Sequence, residues 1–226
     1  FPPQPRYGMP SFREVLTAIA AAWKDKRESL VHDAESLAQA VRQAGDDGGA
    51  RGEIGLSLLT NATQSIAASF DPAWGGFGDA PKFPQAAALS FLLREHERTR
   101  RDDLLAMATL TLDRMAAGGI HDHIGGGFHR YSVDARWLVP HFEKMLYDNA
   151  SLAAVYLEAH RITANDSYRR VAVSTLDYVL REMTDPGGGF YSSRDADAAG
   201  IEGHYYLWTP AEVEAVLEPD EARLFA

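Results

Sequence analysis

The stretch GGIHDHIGGGFHRYSVDARWLV, residues 118–139, decides how the chain is read. It lies between a helical pattern at about 102–117 and another read at about 140–162, yet it carries neither helical nor strand periodicity itself. Loops longer than about 12–15 residues in compact domains are usually functional or disordered. A stretch this rich in His, Phe, Tyr and Trp does not have the composition of disorder. Two more long, Gly-rich connections flank it, at 70–83 and 184–208, while the links near 99–101 and 163–166 are short. Helices joined by short turns run antiparallel, so all three long connections are expected at one end of a stack of hairpins. Gly-Gly-Phe marks each of them, at 75–77, 126–128 and 188–190.

Working outward, further helical patterns occupy 56–69, 84–98 and 167–183, and a last one opens at 210 behind the capping box Thr209-Pro-Ala-Glu212. Pro140 and Pro210 fall where a first helical turn tolerates proline. On the N-terminal side, Ser11 and Glu14 form a second capping box. It opens a helix carrying Phe12, Val15, Leu16, Ile19 and Trp23, and another helical pattern runs from Leu30 to Val41. The only run suggesting strand alternation is His204–Trp208. The fold class is therefore all-α. Hairpins with unequal loops on one rim fit an α/α toroid of the six-hairpin type better than a solenoid, with about half of the ring present. The expected organisation is an N-terminal segment 1–43, a Gly- and Asp-rich linker 44–53, and the toroid portion 54–226.

Composition removes several function classes. The 226 residues carry a formal net charge of −10, the opposite of the basic footprint that nucleic acid or an anionic membrane requires. No apolar run approaches the roughly 20 residues of a membrane span. With no Cys there is no disulfide, thiolate metal site or cysteine nucleophile in this portion. A chain opening on Phe1-Pro-Pro reads as a fragment, and a cytoplasmic location is the expectation.

The expected rim collects the chemistry. His123, His129, His141, Glu143 and Asp195 are the candidate catalytic residues, because imidazole titrates near neutrality and positioned carboxylates complement it. Trp74, Lys82, Phe83, Arg130, Tyr131, Trp137, Lys144, Tyr147, Asp148 and Asp197 are the candidate substrate-binding residues. If 140–162 is helical, Glu143 and Tyr147 share one face, and Lys144 and Asp148 form a helical pair on the next. His121-Asp-His123 has a spacing seen in metal sites, but two imidazoles alone do not make one, and no metal or cofactor is assigned. Asp195-Ala-Asp197 is open to two readings, paired carboxylates for glycoside chemistry or caps for loop amides. The aromatic residues are equally open, as platforms for sugar rings or as plugs of the ring's centre.

The long segments DPAWGGFGDAPKFPQ, GGIHDHIGGGFHRYSVDARWLVPHFEKMLYDNASLA and GGFYSSRDADAAGIEGHYYLWTP closely resemble the YyaL / spermatogenesis-associated thioredoxin-domain-containing protein family. The resemblance implies a thioredoxin-like domain followed by an (α/α)6 toroid similar to N-acylglucosamine 2-epimerases and six-hairpin glycosidases. Residues 1–43 then resemble the end of the thioredoxin-like domain and a connecting helix. That domain of the same longer protein becomes an expected partner, beside a carbohydrate-like small molecule. Ala198-Ala199 departs from the family's pattern after Asp-Ala-Asp. The expectation is a sugar-binding rim with epimerase or isomerase chemistry. The rival readings are a non-catalytic platform serving the thioredoxin-like domain, and a glycosidase.

Overall fold

The structure, a computed structural model, describes residues 2–6, 8–45 and 55–225. The chain divides into two compact units, Phe1–Gly55 and Leu56–Ala226. In the first, α1 (Phe12–Asp25) and α2 (Arg27–Gly45) pack on each other. The Ser11 hydroxyl accepts from the Glu14 amide while the Glu14 carboxylate accepts from the Ser11 amide, the reciprocal cap expected from the sequence. The Phe12, Leu16, Ile19 and Trp23 stripe of α1 is about half exposed. α2 continues through Ala44 and Gly45, and residues 46–53 of the expected linker lie outside the described residues.

The second unit holds α3 (Leu56–Ala68), α4 (Ala86–Thr99), α5 (Asp102–Ala117), α6 (Leu146–Thr163), α7 (Asp166–Glu182), α8 (Pro210–Val216) and α9 (Pro219–Phe225). Arg100 and Ala164 take left-handed conformations at the ends of α4 and α6, and two short links turn the chain back into α5 and α7. α4 packs on α5 and on α6, and α6 packs on α7. Their shared core includes Leu89, Leu92, Leu104, Leu112, Leu152 and Tyr156, all fully buried. Each such side chain contributes on the order of 1.5–3 kcal/mol of transfer free energy. Among the described residues no helix is long and apolar enough to cross a membrane.

Six two-residue strands lie in the long connections. β1 (Tyr131–Ser132) pairs with β2 (Pro140–His141), β3 (Lys144–Met145) with β4 (Ser193–Arg194), and β5 (Asp197–Ala198) with β6 (Ile201–Glu202), all antiparallel. A bridge between Lys82 and Ser132 ties the first long connection to the second, and the β3–β4 pair ties the second to the third. The three connections thus meet, as short-turn hairpins require.

Two local expectations are corrected. The helix read from 140 starts instead at Leu146, because 140–145 is pulled extended by pairing with 131–132 on one side and 193–194 on the other. Pro140 therefore sits in a strand, in a position opposite Ser132, and not in a helical turn. The His204–Trp208 run forms a turn closed by Tyr206 N–H and Leu207 N–H donating to the Gly203 carbonyl, not a strand.

Candidate functional site

Each Gly-Gly-Phe ends the same kind of turn. Asp71, Asp122 and Asp185 open the three turns, their side chains accepting from amides two or three residues on, and their own amides donate to Gly76, Gly127 and Gly189 carbonyls. In the first two turns a buried lysine completes the unit. Lys82 Nζ lies 2.7 Å from Asp71 Oδ2 and 3.0 Å from the Gly75 carbonyl. Lys144 Nζ lies 2.7 Å from Asp122 Oδ2 and 2.9 Å from the Gly126 carbonyl. Both lysines are fully buried. Burial alone would raise the Asp122 carboxyl, but the Lys144 ammonium and the Gly125 and Ile124 amides hold it below its ordinary range. Glycine is required where these units close. Gly76 has φ +82°, and a Cβ there would come within 2.5 Å of the Trp137 ring.

These contacts place several of the expected binding residues. Lys82 spends its donors on Asp71, Gly75 and Ala135, so it holds two loops together. Trp137 is fully buried with its indole N–H donating to the Trp74 carbonyl, a plug and not a platform. Trp74 lies apart from the histidines, its ring flanked by Arg114 and Arg136. Lys144 pairs with Asp122 and not with Asp148, because both Lys144 and Glu143 precede α6.

The non-helical segment 140–145 alternates its side chains. Phe142 and Lys144 turn towards Tyr206, whose ring stacks on Phe142 at 5.7 Å and faces the Lys144 ammonium at 5.0 Å. His129 packs edge-on against both Phe142 and Tyr206, and its Nδ1 meets the Phe142 carbonyl at 3.0 Å. Burial, with Lys144 nearby, lowers this imidazole to about 4, so His129 is a neutral packing residue at physiological pH. His121 is likewise lowered to about 4, by burial and by His123, and stacks on Phe128. His123 Nε2 lies 3.1 Å from the Gly118 carbonyl. Among the described residues no three His, Asp or Glu side chains come together as a metal-ligand set.

His141 and Glu143 point the other way and meet partners from two connections. His141 Nδ1 is 2.6 Å from Glu202 Oε1, and its Nε2 is 3.9 Å from Glu143 Oε2. Arg130 Nη1 donates to Glu143 Oε2 at 2.8 Å, while the Arg130 amide donates to the Glu143 carbonyl. The Tyr131 ring stacks on His141 at 4.9 Å and carries Phe83 on its other contact at 4.8 Å. Tyr147 and Asp148 complete the group beside Arg130. Burial, opposed by Arg130 and reinforced by Glu143, pushes the Asp148 carboxyl up to about 6. Its Oδ2 is buried with no hydrogen-bond partner, and so is Arg130 Nε. The His141 side chain is about one-quarter exposed, so the cluster is reachable.

Of the expected catalytic residues, His141 and Glu143 thus come together, with Arg130, Tyr131, Phe83, Tyr147 and Asp148 around them. His123 and His129 do not join. Asp195 is exposed and accepts from the Asp197 amide of its own loop, and Asp197 sits in the β5–β6 hairpin. That hairpin's contribution is Glu202, which is not among the candidate residues expected from the sequence. A hollow of about 380 Å³ between α8 and α9 is lined by Pro210, Val213 and Pro219 and contains none of these residues.

No family model matches the chain. Human spermatogenesis-associated protein 20 is 39% identical over 230 residues, and the mouse protein of that name is 40% identical over 230. Both alignments cover 96% of this chain. Along this length the chain is a homologue of the spermatogenesis-associated protein 20 proteins. It spans 29% of the length of those relatives. Among solved structures, cellobiose 2-epimerase from Bacillus thermoamylovorans superposes with a TM-score of 0.54 at 14% identity, over 62% of this chain and 40% of that one. The cellobiose 2-epimerase of Spirochaeta thermophila gives 0.54 at 18% identity, over 62% and 39%. A family 76 glycoside hydrolase (mannosidase) of Bacteroides thetaiotaomicron gives 0.50 at 16%, over 61% and 40%. At these identities the likeness establishes the fold, an α/α toroid, and nothing finer.

Proposed function

We propose that the His141 cluster binds a carbohydrate-like small molecule and moves a proton next to its carbonyl group, an epimerase or isomerase type of chemistry. The observation that carries the reading is the placement of His141 between two carboxylates. With Nδ1–H donating to Glu202, the Nε2 lone pair is the free one, and at 3.9 Å Glu143 is too far to take it by a direct hydrogen bond. A base oriented through its other nitrogen by a carboxylate is a recurring arrangement for proton transfer. Nε2 accepts the proton alpha to the carbonyl, the resulting imidazolium is balanced by Glu202 and Glu143, and the positive Arg130 is available to the developing enolate oxygen. Return of a proton to the opposite face of that carbon completes an epimerisation, and return to the neighbouring carbon, with the hydroxyl proton passing to the former carbonyl oxygen, completes an isomerisation. Tyr131 and Phe83 supply apolar ring faces beside the base. The fold supports the sugar class, since the superposed proteins named above act on sugars by name.

The test uses the full-length protein with free hexoses and cellobiose in heavy water, followed by proton NMR. Exchange at the carbon next to the carbonyl is expected, reduced by roughly 10²–10⁴-fold in His141→Asn, the range for losing a general base. If no sugar exchanges or binds, or if His141→Asn exchanges as fast as the parent, the reading fails.

A further inference from the structure

A separate cleft of about 230 Å³ opens behind the Phe142–Tyr206 stack, on the face of segment 140–145 that carries Lys144. Its charged lining is Lys144, Arg181 and Arg194 against Asp122 and Glu182, three cations to two carboxylates, in a chain whose overall charge is −10. The charges are also incompletely matched in hydrogen bonds. Glu182 serves both arginines, taking Arg181 Nε at 3.1 Å and Arg194 Nη1 at 2.5 Å. Arg181 Nη2 donates to the Gly125 carbonyl, which leaves Arg181 Nη1 and Arg194 Nε and Nη2 without protein acceptors among the described residues. Both guanidinium groups remain partly open to solvent, with side chains 51% and 38% exposed. The walls are tyrosine rings: Tyr178 faces the Lys144 ammonium at 4.2 Å, and Tyr205 faces Arg194 at 5.4 Å. The Tyr178 hydroxyl is buried with no hydrogen-bond partner.

We infer that this cleft is a binding site for a small anion attached to a ring-sized body, of the class of sugar phosphates or uronates. Unspent arginine donors suit phosphate or carboxylate oxygens. The tyrosine walls suit the ring. The volume lies below the roughly 300–1,000 Å³ of drug-sized pockets, which limits the occupant to about a monosaccharide. Because neighbouring residues of an extended segment face opposite ways, the cleft is distinct from the His141 cluster, and the inference does not rest on that cluster's proposed chemistry.

Isothermal titration calorimetry on the full-length protein tests it, with glucose 6-phosphate, glucuronate, glucose and inorganic phosphate as separate probes. Glucose 6-phosphate, glucuronate or both are expected to bind at least tenfold tighter than glucose and than inorganic phosphate. Arg194→Gln is expected to weaken that binding at least tenfold, and His141→Asn to leave it within twofold. Arg181→Lys, which keeps the charge but not the fork, gives a second variant should Arg194→Gln unfold. Binding of the anionic sugars no tighter than glucose or inorganic phosphate, or binding unchanged in both arginine variants, overturns the site. Loss of binding in His141→Asn with retention in Arg194→Gln overturns it as well, by moving the ligand to the other cluster.

Discussion

Two polar clusters share the segment 140–145 and are built on opposite terms. Around Lys144 the ammonium is out of water and engaged by Asp122 and the Gly126 carbonyl. Around His141 the groups are one-quarter to one-half exposed, His141 Nε2 has no direct hydrogen bond, and both Asp148 Oδ2 and Arg130 Nε lack partners. The buried Lys144–Asp122 pair fixes a loop, because breaking it leaves a charge with nowhere to go, whereas the arginines lining the adjoining cleft keep unmatched donors. A set with unmatched groups gains by meeting a ligand. Composition does not separate the two, since a histidine, an aspartate and a basic side chain occur in both.

The largest expected effect breaks the closed side. Asp122→Ala leaves Lys144 buried without its carboxylate and should cost roughly 3–5 kcal/mol, read as a lower midpoint in urea unfolding. An equal cost from Glu202→Gln would erase the contrast between the clusters, because Glu202 is about half exposed.

Acid comes next. His121 and His129 have folded pKa values near 4 against an ordinary 6.5, so between those values the unfolded chain binds more protons than the folded one. Stability therefore rises with pH through this window: it is fully present above about 6.5 and lost as pH falls towards 4. The expected loss is on the order of 3 kcal/mol for each histidine, and His129→Gln should flatten the curve of unfolding free energy against pH.

On the open side, Glu202→Gln should keep the fold and lower sugar proton exchange about tenfold, because the amide no longer fixes the imidazole as a carboxylate does. The smallest effect sharpens the comparison most. Asp148 is raised to about 6, the opposite sign to the histidines, so its contribution favours the folded state at low pH and is lost as pH rises through about 6. Asp148→Asn should raise stability at pH 7 by about 1 kcal/mol while reducing exchange. A variant that is both less stable and fully active would place Asp148 with the structural set.

Much of the helical frame was legible, because its signals are local. The capping boxes at Ser11 and Thr209 form as written, and α3 and α5 fall within a residue of their patterns. Residues 140–145 were misread because Pro140 also fits a helix start, while the pairing that extends them comes from residues 131–132 and 193–194. With the segment taken as helix, Glu143 was matched to Tyr147 and Lys144 to Asp148, and the true partners, Arg130 and Asp122, could not be seen. The fate of the lysines had a visible signal, since Asp71 and Asp122 each stand six residues before the phenylalanine of a Gly-Gly-Phe. The repeated aspartate, read with the glycines, marks a turn that needs a cation. Glu202 offered no such signal, as only tertiary folding brings it to a histidine 61 residues away.

The alternation along 140–145 makes the segment a register key. His141 and Glu143 face one way and Phe142 and Lys144 the other, so inserting a single residue between Pro140 and His141 would exchange the two sets. An ammonium would then enter the open cluster and an imidazole the closed one. The chain length between the β1–β2 ladder and the first turn of α6 thus carries information as strict as any side chain in it.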